Sequence, residues 1–380
     1  MIRSLPFTEE HDIFRTHVRR FLDRECVPHV DQWLKDGIVP KETWRKAGKA
    51  GLLCMGQPEE YGGAGGDFLH TTIMLEEAAD ALVEGPGWGL HNDIVAPYIE
   101  HYGSEDQKRS WLPRMATGEL IGAIAMTEPG TGSDLQGVRT TAEKDGNHYV
   151  VSGQKTFITN GQNANMIIVV AKTDPEKGAQ GTSLIVVETD EVEGFKRGRN
   201  LEKIGQHAQD TSELFFDDVR VPTSNLIGEE EGQGFIQLME QLPQERLLVG
   251  VGAVAAAETA LKLTAEYVKE RKAFGRAIAD FQNTRFKLAD VKTQVTIGRM
   301  AVDRCIELLL EGNLDVATAA IVKLWSSEME FKIMDECLQL HGGYGYMSEY
   351  PISRMWASAR VQRIYAGTSE IMRELIGRTI

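Results

Sequence analysis

A block of short β-type runs, with helical patterns on both sides, constrains the fold of this chain more than any other feature. Between residues 121 and 221 the apolar runs are short and are separated by turns such as Asp145-Gly146-Asn147. No helical segment alternates with these runs, which favours an antiparallel barrel or sandwich over a parallel sheet. We therefore expect a mostly α-helical protein with an antiparallel β domain in its middle.

The two helical flanks predict different architectures. Residues 8–118 contain helices of moderate length, such as the amphipathic segment 68–83. From residue 232 onward, long helical patterns follow one another with short glycine-marked connections, which is typical of an antiparallel bundle. Because 380 residues exceed the usual size of one domain, we predict an N-terminal helical domain at 1–119, a middle β domain at 120–228 and a C-terminal four-helix bundle at 229–380.

The net charge and the cysteines exclude several classes of protein. A net charge of −15 leaves no basic stripe that could neutralise phosphates, so nucleic acid is not expected as a partner. The four cysteines lie far apart and form no CxxC pair, which predicts buried thiols rather than disulfides or a zinc site. The N-terminus lacks a signal-peptide pattern and no apolar run approaches the roughly 18 residues of a membrane span, so we expect a cytoplasmic protein.

One apparent nucleotide motif is better explained by helix packing. Gly250, Gly252 and Ala255 spell GxGxxA, but this fingerprint binds a dinucleotide only where a strand meets the start of a helix. Here it lies inside the long helical run 247–263. We predict instead that these small residues let neighbouring helices approach closely.

Two glycine turns flank one helical segment near the C-terminus. The first contains Gly342, Gly343 and Gly345, and the second is the run AGTS at 366–369. Such turns let the backbone come close to a flat or charged ligand. They are equally typical of ordinary helix ends, because glycine is the commonest residue just past a helix.

Three further segments carry groups suited to a cofactor. The turn AMTEPGTGSD at 125–134 is rich in backbone N–H groups and hydroxyls, which suit a phosphate or a flavin carbonyl, although a solvated turn has the same composition. In KTFITNG at 155–161, Phe157 and Thr159 share one face if the run is a strand, and an aromatic face can cover a planar ring. In ERKAFG at 270–275, Arg271 at a helix end would suit a diphosphate.

These segments, in this order, make the chain resemble the acyl-CoA dehydrogenase family over essentially its whole length. The motifs that carry the resemblance are AMTEPGTGSD at 125–134, KTFITNG at 155–161, RKAFG at 271–275 with Gln282, QLHGGYGY at 339–346 and IYAGTSEI at 364–371. The resemblance implies a helical domain, an antiparallel β domain and a helical bundle. It also implies bound FAD, usually a homotetramer, and electron transfer to an electron-transfer flavoprotein. We predict no metal site.

The resemblance also assigns contacts residue by residue. It places one group around the isoalloxazine region of FAD: Met126, Thr127, Ser133, Phe157 and Thr159. It places Thr368 and Glu370 at the adenosine half in the same subunit. A further group is implied to reach the FAD of a neighbouring subunit: Arg271, Phe274, Gln282, Gln339, Gly342 and Gly343. Substrate contacts are implied for Ser133, Arg246 and Gly367. The family often has Trp where this chain has Phe157, which keeps an aromatic face but lacks the indole donor.

The catalytic base is the assignment in which this sequence departs from many family members. Oxidation of an acyl-CoA to its 2-enoyl-CoA needs a base for the α-proton and an acceptor, the flavin N5, for the β-hydride. The base should be a carboxylate in a dry pocket, where desolvation raises its pKa. Many family members carry a glutamate just before the Gly-Thr pair, where this chain has Ala366.

A second position is available for that carboxylate. The segment LPQERLL at 242–248 resembles the branch with the isovaleryl and long-chain dehydrogenases, which carry the base on the first long C-terminal helix. We therefore predict that Glu245 is the base. The alternative is that Glu245 is an exposed helix charge or an ion-pair partner.

Other functions and several substrates remain compatible with the sequence. A base on the long helix suits medium or long, branched or dicarboxylic acyl chains. A flavin oxidase or monooxygenase on the same fold would show rapid reaction of the reduced flavin with oxygen. A non-catalytic helical binding protein that has lost its flavin would be colourless when purified.

Overall fold

The computed structural model describes residues 5–380, and the part before the sheet is helical. Its helices are α1 (Glu9–Glu25), α2 (Val30–Asp36), α3 (Lys41–Lys49), α4 (Phe68–Asp80), α5 (Trp88–Leu90), α6 (Ala96–Tyr102) and α7 (Glu105–Ala116). A π-helical turn, His91–Val95, joins α5 to α6. The start of α7 shows how local sequence sets these ends: the Gln107 N–H donates to Ser104 Oγ, and the Ser104 N–H donates to Gln107 Oε1.

The middle region is a seven-stranded sheet within the described residues. Its strands are β1 (Gly122–Ala125), β2 (Thr141–Asp145), β3 (His148–Thr159), β4 (Met166–Lys172), β5 (Thr182–Glu188), β6 (Phe195–Asn200) and β7 (Thr211–Pro222). The order is β1-β4-β2-β3-β7-β6, and β5 pairs with β4. The expected mostly helical fold with a β domain in the middle is confirmed.

One strand pair differs from the predicted antiparallel sheet. The pairs β2–β3, β3–β7, β4–β5 and β6–β7 are antiparallel, but β1 runs parallel to β4, with Gly122 opposite Met166. β2 also meets β4 in parallel orientation at one residue pair. The β2–β3 hairpin lies between β1 and β4 in the chain, so it provides the long crossover that a parallel pair needs without a helix.

His91 joins the N-terminal helices to the sheet. Its Nδ1 accepts the backbone N–H of Gly122 in β1 at 2.9 Å, so its Nε2 carries the proton and donates to Met115 O at 3.1 Å. Burial lowers the pKa of His91 to about 4, so the ring stays neutral at neutral pH. The first sheet strand is thereby fixed against the π-helical turn.

The C-terminal region is a bundle of long helices. Its elements are α8 (Gly234–Glu270), the hairpin β8 (Lys272–Ala273) and β9 (Arg276–Ala277), α9 (Gln282–Leu310), α10 (Val316–His341), α11 (Pro351–Ala359) and α12 (Ser369–Gly377). The GxGxxA run lies inside α8, and a Cβ built on Gly250 would stand 3.5 Å from Ser326 Oγ of α10. No strand precedes the run, which argues against a dinucleotide site, and helix packing is confirmed at Gly250 but not at Gly252, where a Cβ would meet nothing within 4 Å.

α8 is more apolar than expected from the sequence. By length and composition it could cross a membrane, with a mean hydropathy of 1.5 over an 18-residue window, so the expectation that no run approaches a span is wrong. However, 61% of that window is buried inside the protein, where α8 packs against α4, α9 and α10. This is the burial expected of the central helix of a bundle.

The cysteines follow the prediction. Cys26, Cys54, Cys305 and Cys337 are all buried, and none forms a disulfide. Burial raises the pKa of the Cys26 thiol to about 12, which keeps it protonated and unreactive at neutral pH.

Candidate functional site

Glu245 lies on α8 and is only 5% exposed. Burial raises the pKa of its carboxyl to about 7, although a hydrogen bond from Tyr98 and the charge of Arg246 act to lower it. The Tyr98 hydroxyl donates to Glu245 Oε1 at 3.0 Å, and no salt bridge within residues 5–380 includes Glu245. Glu245 is therefore neither an exposed helix charge nor a salt-bridged one, and its pKa suits a general base.

The neighbours of Glu245 on α8 face the same interior region. Gln244 Nε2 donates to the backbone carbonyl of Asp93, in the π-helical turn, at 3.1 Å. Arg246 is 4% exposed, and its Nε has no hydrogen-bond partner in the described chain. Burial lowers the pKa of Arg246, although Glu245 raises it.

The turn between Tyr365 and Thr368 contacts this region. Ala366 and Gly367 both have positive φ, 52° and 95°. A Cβ built on Gly367 would stand 2.6 Å from Met372 Cε and 4.0 Å from an Nη of Arg246. The structure thus brings Arg246 and Gly367, which the resemblance assigned to substrate, next to each other. Ser133, the third such residue, is exposed in the loop after β1.

A backbone hydrogen bond and a strand bulge bring the predicted isoalloxazine contacts Thr127, Phe157 and Thr159 together in the sheet domain. The Thr156 N–H donates to Thr127 O at 2.9 Å, so the segment after β1 lies against the end of β3. Phe157 has a φ of 59° and is 66% exposed, and the β3–β7 register shifts between Lys155 and Ile158. This bulge presents an aromatic face beside Thr127 and Thr159, which fits a planar ring system.

A buried ion pair behind that surface was missed by the sequence analysis. Lys155 is 1% exposed, and its ammonium donates to Glu128 Oε1 at 2.8 Å and to Met126 O at 3.2 Å. Burial lowers the pKa of Lys155 to about 8, although Glu128 raises it. The ion pair fixes the Met126–Thr127 backbone. A lysine at an inward-facing position of a strand could have indicated this ion pair from the sequence.

A second set of predicted cofactor contacts lies at one end of the bundle. The Arg271 guanidinium, just past α8, lies 5.4 Å from the ring centroid of Tyr344. Phe274, in the β8–β9 hairpin, is 95% exposed, and Gln282 begins α9. Gln339 lies in the last turn of α10, and Cβ atoms built on Gly342 and Gly343 would meet nothing within 4 Å. The hairpin and the glycine turn therefore leave space that a ligand could occupy, although the helix-end glycines Gly51 and Gly312 are equally open.

The predicted adenosine contacts are at the start of α12. The Thr368 hydroxyl oxygen accepts the Ile371 N–H at 3.3 Å and caps this helix. The Glu370 side chain is 80% exposed and lies 3.7 Å from Arg373. The exposed Glu370 carboxylate can accept a hydrogen bond from a sugar hydroxyl. The Thr368 hydroxyl is already engaged in capping α12.

A histidine cluster outside this region has the composition of a metal site. His11, Asp67 and His70 place one potential ligand atom each within 4.8 Å of one another. The Thr8 N–H donates to His11 Nδ1, and the Asp67 N–H donates to His70 Nδ1, both at 3.1 Å. His70 Nδ1 also lies 3.0 Å from Asp67 Oδ1, and these contacts cap α1 and α4. The prediction of no metal site stays a prediction.

A further buried carboxylate belongs to Asp93, whose backbone carbonyl Gln244 bonds. Thr71 Oγ1 in α4 donates to Asp93 Oδ1 at 2.5 Å, and burial raises the pKa of Asp93 to about 7. Asp93 was not among the site residues predicted from the sequence. A charged residue inside an apolar helical pattern was the available signal.

Comparison with known protein families covers nearly the whole chain. Residues 8–119 match the acyl-CoA dehydrogenase N-terminal domain, residues 123–219 the middle domain and residues 232–380 the C-terminal domain. The long-chain specific acyl-CoA dehydrogenase of Sus scrofa mitochondria is 52% identical over 98% of this chain and 87% of its own length.

Solved structures show the same similarity. An acyl-CoA dehydrogenase from Geobacillus kaustophilus superposes with a TM-score of 0.95 at 50% identity, over 98% of each chain. A glutaryl-CoA dehydrogenase from Mycobacterium smegmatis in complex with FADH2 superposes with a TM-score of 0.89 at 29% identity, over 98% of this chain and 95% of that one.

Proposed function

Because the chain belongs to the acyl-CoA dehydrogenase family, whose members are FAD-dependent oxidoreductases, we propose that it oxidises a saturated acyl-CoA to the trans-2-enoyl-CoA with Glu245 as the base. The observation that carries the assignment is a buried carboxylate with a pKa of about 7, in a chain that has alanine at position 366. The AGTS turn itself contains no carboxylate that could take the proton.

The side chains around Glu245 define how it would act. Tyr98 bonds Oε1, whereas no hydrogen bond in the described chain engages Oε2, so Oε2 is the oxygen we assign to removal of the α-proton. The N–H groups of Ala366 and Gly367 donate to no acceptor within residues 5–380, so they are available to polarise the thioester carbonyl.

FAD, when bound, supplies the acceptor for the hydride from the β-carbon. Met126, Thr127, Phe157 and Thr159 would hold its ring system, on the surface fixed by the Lys155–Glu128 pair. The exposed Phe274 and the open turn at Gly342 would serve the FAD of a second copy, and we propose the homotetramer that the family resemblance implies. We further propose an electron-transfer flavoprotein as electron acceptor and a cytoplasmic location.

The substrate we propose has a medium or long, branched or dicarboxylic acyl chain. The apolar side chains Leu75 of α4 and Ile94 of the π-helical turn pack at the edge of the bundle core and are only partly buried. These two elements flank α8 near Glu245, so they would contact an acyl chain whose α-carbon reaches that carboxylate.

A panel of acyl-CoA thioesters tests this function. The FAD-bound protein would be mixed anaerobically with saturated thioesters of increasing chain length, with branched thioesters and with dicarboxylic thioesters, and bleaching of the flavin absorbance would be followed. We expect bleaching by at least one of the medium or long, branched or dicarboxylic thioesters, with kcat/KM about 10-fold or more above that for butyryl-CoA, since each buried CH2 contributes about 0.8 kcal/mol.

The same experiment separates the alternatives. Reduced flavin that reacts rapidly with oxygen in the absence of an acceptor protein would indicate an oxidase or monooxygenase. A protein that binds no FAD, or FAD that no thioester bleaches, would contradict the proposed dehydrogenation.

The pH dependence of the reaction should report Glu245. Because the base must be ionised, kcat/KM is expected to rise with pH through about 7, the pKa of Glu245 in the free protein. The Tyr98 hydrogen bond stabilises the ionised carboxylate, so Tyr98→Phe should raise this pKa and move the rise in kcat/KM to higher pH. The pH profile of kcat/KM for both proteins is the measurement.

Tyr102 provides the matched control. It lies on the same helix and donates to Glu240 at 2.7 Å, outside the site. Tyr102→Phe should leave the pH profile in place. A Tyr98→Phe profile that coincides with that of the unchanged protein would contradict the role of the hydrogen bond.

A further inference from the structure

Lys323 is a buried cation that the mechanism above does not use. It lies on α10 with an exposure of 0%, and its ammonium donates to the backbone carbonyl of Gly367 at 2.6 Å. Burying an ammonium costs several kcal/mol in a protein interior, and an apolar side chain could fill the same volume. A hydrogen bond of this strength to the carbonyl is therefore the feature that distinguishes lysine at this position.

The carbonyl that Lys323 holds belongs to a strained turn. Ala366 has a φ of 52°, a region that costs a residue with a Cβ about 1 kcal/mol or more. Such a conformation persists only where the surroundings fix it. α10 packs against α8 and α12, so it is a rigid base from which Lys323 can fix the turn.

A second cation stands on the other side of the turn. An Nη of Arg246 lies 4.0 Å from the position that a Cβ on Gly367 would take. Arg246 has no salt bridge within the described chain. Burial, and after it the charge of Arg246, lower the pKa of Lys323 to about 8, while Glu328 and Glu370 raise it. The Lys323 amino group donates to the Gly367 carbonyl in both its charged and its neutral form.

We propose that Lys323 is a positioning residue, whose hydrogen bond to the Gly367 carbonyl orients the Ala366–Gly367 turn so that its unused N–H groups face the substrate thioester. Lys323 itself touches neither the substrate nor the flavin. Because the Gly367 carbonyl belongs to the peptide group that follows Gly367, its hydrogen bond fixes the Gly367 backbone and, through it, the two preceding N–H groups. This inference rests on the proposed acyl-CoA oxidation.

Lys323→Met tests the proposal, because methionine has a similar shape and no donor. We expect the protein to keep its FAD and its affinity for acyl-CoA within about threefold, while the limiting rate of flavin reduction falls about 10- to 100-fold, since misplaced donors cost rates of that order. Lys323→Arg, which keeps a charged donor, should recover most of the rate. Lys332→Met, at an exposed position of the same helix, is the matched control and should change nothing.

A spectroscopic readout separates this inference from the proposed function. The infrared stretch of a ¹³C-labelled thioester carbonyl in bound acyl-CoA should lie lower than in solution, and Lys323→Met should reverse part of that shift. If no acyl-CoA bleaches the flavin of the unchanged protein, the proposed function fails, but the carbonyl shift still tests the positioning role.

Two results would overturn the positioning role. One is a Lys323→Met protein with an unchanged limiting rate and an unchanged carbonyl frequency, whatever its thermal stability. The other is a loss in Lys323→Met that appears only as lost FAD or lowered thermal stability. If Lys323→Met does not fold, Lys323→Gln is measured in its place, with a shorter neutral donor and a rate expected between those of the methionine and unchanged proteins.

Discussion

Glu245→Gln should leave a yellow, FAD-bound protein that acyl-CoA no longer bleaches at a useful rate. Glutamine keeps the shape of the side chain and its hydrogen bond with Tyr98, but it cannot accept the α-proton. General-base catalysis contributes about 10²- to 10⁴-fold, so we expect a fall of that size in the rate of flavin reduction. Stopped-flow absorbance under anaerobic conditions measures it.

Stability should move in the opposite direction to activity in this variant. The pKa of Glu245 is raised from 4.5 to about 7 in the folded protein, so the stabilising effect of its proton is complete below about pH 4.5 and is lost as the pH rises through 7. At pH 8 the folded protein holds a buried, ionised carboxylate, which glutamine removes. Glu245→Gln should therefore be no less stable than the unchanged protein at pH 8.

Glu240→Gln is the matched control for this experiment. Glu240 lies on the same helix and accepts a hydrogen bond from Tyr102 in an exposed setting. Its replacement should leave flavin reduction within about twofold, since surface substitutions of this kind are nearly neutral. A similar loss of rate in both variants would point to a general effect on α8.

Arg299→Met should cause the largest loss of stability among single substitutions considered. The Arg299 side chain is 1% exposed and bonds Glu258 at 2.6 Å and Glu76 at 2.9 Å, with Asp303 at 3.8 Å. Removing it takes away the buried cation that these three carboxylates share, which costs about 3–5 kcal/mol. The network joins α4, α8 and α9, and Arg15 of α1 also bonds Glu76 at 2.8 Å.

Thermal unfolding of the FAD-bound protein checks this prediction. Arg299→Met should lower the Tm by several degrees, whereas Arg304→Met should change it little. Arg304 lies on the same helix, is 55% exposed, and pairs with Glu307 and Glu311 at the surface. Such exposed pairs contribute about 0–1 kcal/mol. Equal Tm values for the two variants would show that the buried network adds nothing.

The order of the domains could be predicted from the sequence because it rests on periodicity. Short β runs between helical patterns placed the sheet correctly, and alternation was enough to separate it from the bundle. The parallel pairing of β1 with β4 could not be read in this way, because neighbours in a sheet are chosen by long-range packing. Both strands are fully buried on both faces and carry no alternation that reports a partner.

The site was predictable only in part, for a similar reason. Glu245 could be proposed from its motif, and Ala366 pointed away from the alternative position. The groups that would support Glu245 as a base come from segments distant in sequence: Tyr98 supplies the hydrogen bond, and the turn held by Lys323 lies about 120 residues after Glu245. A single buried tyrosine or lysine in a helical pattern looks like any other packed residue until its partner is known.

Proton removal at the α-carbon is the step that tests the central claim most directly. A 3-thia-acyl-CoA can lose its α-proton but has sulfur where the β-hydride would leave, so its exchange isolates the base from the flavin chemistry. In D2O, mass spectrometry should show deuterium entering the α-position with the unchanged protein and with Glu240→Gln, but at least about 100-fold more slowly with Glu245→Gln. Exchange at the unchanged rate in a folded, FAD-bound Glu245→Gln protein would show that another group is the base.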